Sequence, residues 1–174
     1  MKAVVVYTSK SGFVKRYAEM IGRALSADVL EASGVTADTL AKYDTVIYGG
    51  GLYVGGINGL KLITGNMEKL SGKKLIVFAS GATPVREETI EELRDRNFTK
   101  EQQQAIRFFY LRGGFDYAKL KPVDKILMTL MKWKIRSRKD KSADERGMLA
   151  AYSQPADFVK EKNMEALVAY AKGE

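Results

Sequence analysis

Ala3-Val-Val-Val-Tyr7 is an unbroken β-branched and aromatic run with no polar residue on either alternating face. Such a strand is buried on both sides, as in a parallel sheet held between two helix layers. The run ends at Thr8-Ser-Lys-Ser-Gly12, and a helix is expected directly after it, because Val14, Tyr17, Ala18, Ile21 and Leu25 recur at helical spacing. Ser11 is its expected capping oxygen.

The alternation continues. Residues 28–31 read as a short strand, 36–43 as a helical or irregular link, and 45–48 as a third strand closing on Gly49-Gly-Gly51. A helix near 60–70, a strand at 74–79, a loop at 80–84, a charged helix over 85–96 and an apolar run at 106–111 follow. Residues 97–104 fit either helix or loop. Asn163 is expected to cap a last helix carrying Met164, Leu167, Val168 and Ala171 at spacings of three and four. Five such strand-helix units in 174 residues predict one α/β domain, doubly wound around a five-stranded parallel sheet.

One element exceeds that count. Residues 122–136 read as a helix opening on Pro122, with Val123, Ile126, Leu127, Leu130 and Met131 in an apolar stripe and Lys125, Lys132 and Arg136 opposite. It lies in an insertion expected over about 115–154. Between Tyr117 and Lys141 stand nine basic residues (Lys119, Lys121, Lys125, Lys132, Lys134, Arg136, Arg138, Lys139, Lys141) against Asp124 and Asp140, so this segment accounts for nearly all of the net charge of +8. An anionic partner is expected there. Two arrangements fit: the stripe packs on the body with its lysines solvated, or it contacts an anionic membrane, towards which Trp133 points. A nucleic-acid partner is not expected, since no recognition motif accompanies the cluster.

The chain has no Cys and no His. That excludes thiolate nucleophiles, His-based triads and Cys- or His-ligated metals, so redox work would need a bound organic cofactor. Lys2 is followed by only five apolar residues, too few for a signal peptide, and no run approaches a membrane span. A cytoplasmic protein is expected. Gly72-Lys73-Lys74 lacks the spacing and the hydroxyl of an NTPase phosphate loop, and Thr8-Ser9 and Gly49 stand where a phospho-acceptor domain needs acids.

In an open parallel sheet, ligands bind beyond the carboxyl ends of the strands. Three loops are expected there. Thr8, Ser9, Lys10, Ser11, Gly12, Phe13 and Val14 offer hydroxyls, a cation and helix-start amides suited to a phosphate monoester, although a plain capped turn has the same composition. Gly49 to Gly56 contains five glycines together with Leu52, Tyr53 and Val54; Gly50 and Gly51 permit close approach of a flat ring and Tyr53 can stack on it, while a bare flexible loop is the alternative. Ser80, Gly81 and Ala82 bring small residues and amides to the same rim.

Tyr7-Thr-Ser-Lys-Ser-Gly-Phe-Val14 resembles the flavodoxin phosphate loop, and Tyr53 lies where flavodoxins stack an aromatic on the flavin. The resemblance implies FMN as cofactor and strand order 2-1-3-4-5. The chain is more closely similar to the flavodoxin-like, menaquinone-dependent protoporphyrinogen oxidases of bacteria, through Gly113-Gly-Phe-Asp-Tyr117, Asp124-Lys-Ile-Leu-Met-Thr-Leu-Met131 and a basic loop before the last helix. It implies an oxidoreductase that accepts electrons from an anionic porphyrinogen in heme biosynthesis and passes them to a quinone or redox protein, with peripheral membrane contact. A non-enzymatic electron carrier is the other implied role. Val14 departs from the Thr with which many flavodoxins end this loop, which removes one side-chain donor to the phosphate.

Overall fold

The computed structural model describes residues 2–120 and 122–174; Met1 and Lys121, one of the nine basic residues counted above, lie outside the described residues. Strand β1 (Ala3–Thr8) leads through a short loop into α1 (Phe13–Leu25), followed by β2 (Asp28–Glu31), α2 (Ala37–Leu40) and β3 (Thr45–Tyr53). A hairpin strand β4 (Gly56–Ile57), α3 (Lys61–Thr64), β5 (Lys74–Gly81), α4 (Glu87–Asn97), α5 (Lys100–Ala105) and β6 (Ile106–Arg112) complete the sheet region. Then come β7 (Gly114–Phe115), a 3-10 turn at Tyr117–Lys119, α6 (Pro122–Arg136), α7 (Ala143–Ala151), β8 (Ala156–Asp157), a second 3-10 turn at Glu161–Met164 and α8 (Glu165–Lys172).

The main sheet runs β2-β1-β3-β5-β6 with parallel neighbours, which is 2-1-3-4-5 for the five long strands; β4 adds antiparallel to the end of β3. This is the doubly wound α/β fold expected from the alternation. Because side chains alternate across a strand, Val4 and Val6 join one core with Tyr48, Val77, Leu93 and Tyr110, while Val5 and Tyr7 join the other with Tyr17, Ile21, Phe78 and Leu167 of α1, β5 and α8. The pattern requires both layers, since each central strand is apolar on two sides.

Several local expectations change. The third strand continues through the glycines to Tyr53, and residues 49–56 form the end of β3 and a two-residue hairpin in place of a loop. Gly49 is fixed by packing: a Cβ there would lie 2.1 Å from the Phe78 ring. The turn sets Val54 at φ 50 and Gly55 at φ 77, the positive pair that a tight hairpin requires, with Val54 strained because it is β-branched. The helix near 60–70 contracts to one turn at Lys61–Thr64, and β5 extends through Ser80 and Gly81, so the following loop starts at Ala82. Residues 100–105 are helical, started by a reciprocal Thr99–Gln102 capping box. Ser11 does not cap α1; Gly12 occupies the N-cap at φ 92, and its N–H donates to Ser9 Oγ at 3.1 Å. Asn163 does not cap α8, whose N-cap is Met164.

Helix α6 forms as expected but buries a third side. Asp124 and Ile135 are its buried residues, and half-buried Met128 shares their side, placed between the apolar stripe and the basic line. The Tyr152 hydroxyl donates to Met128 O at 2.7 Å, and Thr129 shares a 2.7 Å hydrogen bond with the Tyr117 hydroxyl. The stripe itself faces solvent: Val123 is 73% exposed, Ile126 and Leu130 65% each, and Trp133 72%. Of the two arrangements open from the sequence, packing of this stripe on the body is therefore not the one observed. No described helix is long and apolar enough to cross a membrane.

Candidate functional site

The carboxyl ends of β1, β3 and β5 lie side by side, with Thr8 in register with Gly50, Gly50 with Ala79, and Gly51 with Ser80. The loops after them enclose a cleft of about 190 Å³. Lys10, Ser11, Phe13 and Val14 form one wall, Gly51, Leu52 and Tyr53 a second, and Ser80, Gly81 and Ala82 a third. Ten of the fifteen expected site residues therefore meet in one place.

The other five stand behind or beside it. The Tyr48 hydroxyl donates to Asn58 O at 2.7 Å, so the Thr8 hydroxyl, 2.8 Å away, is the donor to Tyr48 and is turned towards the core. Burial pushes the Tyr48 phenol up from its ordinary pKa, while Thr8 pulls the other way. Ser9 holds the loop through Gly12, which lines a neighbouring groove with Arg16 and Asp157. Gly50 faces the hairpin, and Val54 is 69% exposed at its tip.

Sequence reasoning missed the residues that close the cleft: Asn58 from the hairpin, Gly114 and Phe115 of β7, Leu120, and Asp124 and Met128 of α6. The Gly113-Gly-Phe stretch and the inserted helix were visible as features, but their position over the strand ends was not. Lys10 Nζ lies 3.6 Å from the Asp124 carboxylate and 4.3 Å from the Tyr53 ring centre, so the face of Tyr53 carries a cation. Ser80 Oγ is buried with no hydrogen-bond partner among the described residues, although it borders the cleft.

A second cavity of about 400 Å³ adjoins the first and shares Ala82 and Phe115 with it. Its walls come from the 82–84 loop, the β7-β8 ribbon with Phe158, and α7.

The family model described as a flavodoxin domain matches residues 4–142. This chain belongs to that family. Because the match runs to residue 142, it includes α6 as well as the strand-end loops. Flavodoxin structures are similar in fold. One from the domain Archaea is 24% identical, with 63% of this chain and 85% of that one covered at a TM-score of 0.40. A WrbA-like flavodoxin from Agrobacterium tumefaciens is 19% identical, covering 71% and 87% at 0.50. The two-electron reduced flavodoxin of Megasphaera elsdenii is 17% identical, covering 62% and 84% at 0.44. At 19% identity the WrbA-like structure speaks for the fold alone. No curated protein matches the chain.

The cofactor of a flavodoxin domain is FMN, which makes flavin-mediated electron transfer the general role of this chain. The cleft suits that group chemically: hydroxyls, a lysine and helix-start amides at one end, small residues and an aromatic along the sides, and an unsatisfied buried hydroxyl at Ser80.

Proposed function

We propose that this flavodoxin-domain protein is an FMN-dependent oxidoreductase of the protoporphyrinogen oxidase type, taking reducing equivalents from an anionic porphyrinogen and delivering them to a membrane quinone. FMN supplies the electron-accepting and electron-donating chemistry when bound. In this reading Lys10, Ser11 and the amides of Phe13 and Val14 hold the phosphate, and Ser9 and Gly12 shape the loop that presents them. Gly51, Leu52 and Tyr53 border the ring on one side and Ser80, Gly81 and Ala82 on the other, with Thr8 and Gly50 fixing the loops from behind and Val54 exposed at the hairpin tip. Phe115 and Met128 exclude water from above.

The observation that carries this reading is the split character of α6. One side of the helix covers the cleft through Asp124 and Met128, while the apolar stripe and Trp133 stand exposed beside Lys134, Arg136, Arg138 and Lys139. An apolar, cation-flanked helix next to a flavin cleft suits a cytoplasmic protein resting peripherally on the inner face of an anionic membrane, where a lipid-soluble acceptor resides. The carrier reading draws on the exposed hairpin tip, Tyr53 at 39% and Val54 at 69%, as a contact point for a redox protein.

Oxidation of protoporphyrinogen by the FMN-loaded protein, with a menaquinone analogue in anionic vesicles, tests the proposal. Turnover should fall at least tenfold in the Ile126→Glu, Leu130→Glu double variant and with rising salt. A protein that binds FMN and reduces a redox partner but leaves protoporphyrinogen untouched is a carrier.

A further inference from the structure

The larger cavity holds a cation that the chain fixes in place but does not neutralise. Arg112 ends β6 opposite Gly81, and its Nε donates to Ala82 O at 3.1 Å. Its guanidinium carbon lies over the Phe158 ring, 3.6 Å from the ring centre. These contacts hold the group in place, yet the two terminal nitrogens have no hydrogen-bond or ion-pair partner among the described residues. The nearby acids are engaged elsewhere: Glu145, on the cavity wall, accepts from Arg138 at 2.7 Å and from the Ser142 N–H at 2.9 Å, and Asp157 pairs with Arg16.

An arginine held by its Nε and its face presents two parallel N–H donors, the geometry that matches a carboxylate in bidentate fashion. Around it the walls are mainly apolar, with Phe115, Met148, Ala151 and Phe158 leaving room for a flat body. We infer that this cavity is a binding site for a flat, apolar carboxylic acid, with Arg112 as the specificity-determining residue that anchors its carboxylate. The shared wall at Ala82 and Phe115 sets such a ligand against the flavin cleft. The inference rests on the oxidoreductase reading for the ligand's purpose, since a single propionate-bearing pyrrole ring of a porphyrinogen is flat and has this chemistry, although the macrocycle with its saturated bridges is not flat; the site itself rests on Arg112 and the walls.

Fluorescence titration of the FMN-loaded protein with anthracene-2-carboxylate and its methyl ester tests it. The acid should bind at least tenfold more tightly than the ester. Arg112→Gln should abolish that difference while leaving the ester's affinity within twofold. Gly147 lines the cavity from α7, and a Cβ there meets nothing within 4 Å, so Gly147→Phe can fill the space without a backbone clash and should weaken both probes at least tenfold. FMN affinity should stay within twofold in both variants. Equal binding of acid and ester by the unaltered protein, or probe binding indifferent to Gly147→Phe, overturns the inference, and neither result needs Arg112→Gln to fold. Should the probes behave as expected while protoporphyrinogen is not oxidised, the site stands and the proposed reaction falls.

Discussion

Lys10 Nζ sits 3.6 Å from the Asp124 carboxylate while lying over the Tyr53 ring, so one ammonium joins the first strand-end loop, the hairpin and α6. The Asp124 side chain is only 10% exposed and Lys10 39%. A phosphate entering the loop competes with that carboxylate for the lysine, and the carboxylate repels it. Asp124→Asn should therefore tighten FMN binding by about 0.5–1 kcal/mol, less as salt is added. Quenching of FMN fluorescence on titration reads this directly; unchanged or weaker binding would remove Asp124 from the loop's electrostatics.

Ser80 supplies a prediction of opposite signs. Its hydroxyl is buried without a partner among the described residues, which is unfavourable in the cofactor-free protein. Ser80→Ala should leave the stability of that form unchanged or raise it by about 1 kcal/mol in urea denaturation, while weakening FMN binding by a similar amount. Loss of stability in the cofactor-free form would show that Ser80 already has a structural partner.

Asn163 marks where sequence reasoning stopped. Its two side-chain N–H groups are shared among the Tyr17 hydroxyl at 2.7 Å, Phe158 O at 2.8 Å and Arg112 O at 3.2 Å, joining α1, the end of β6 and the approach to α8. Asn163→Ala should cost about 2 kcal/mol in denaturant melts, because several part-buried acceptors lose one donor together. Tyr17→Phe should cost less, since Asn163 keeps its contacts to both carbonyls.

The strands and α1 were legible because their signal is local: Val4 to Tyr7 and Val14 to Leu25 carry their own periods. Asn163 was read as a cap because capping is the role a lone Asn before a helix suggests, whereas its three acceptors come from elsewhere in the chain. Gly49 was read only as the start of a glycine-rich loop, because the Phe78 ring that needs it lies on the neighbouring strand. On α6 the stripe and basic line were visible, but the buried side follows from Asp124 meeting Lys10, which no helical projection contains. The strand-end loops were found because the parallel topology itself brings them together.

Tyr110 gives the fold an alkaline limit. Burial pushes its phenol up to about 12, against the opposing influence of the Thr83 side chain and the charge of Arg112. Burial also raises Tyr17 and Tyr48. On unfolding these phenols return to about 10, so between the two values the unfolded chain releases protons that the folded chain retains. Their contribution is therefore complete below about pH 10 and is lost as pH rises towards 12, on the order of 2 kcal/mol for Tyr110. Urea midpoints measured from pH 8 to 11.5 should fall steeply above 10. Tyr110→Phe should be less stable than the unaltered protein at pH 8, by about 1 kcal/mol for the lost bond to Thr83 O, yet decline more shallowly, so that the two curves meet and cross as the pH rises. Parallel curves would show that Tyr110 ionises as freely in the folded protein as in the unfolded chain.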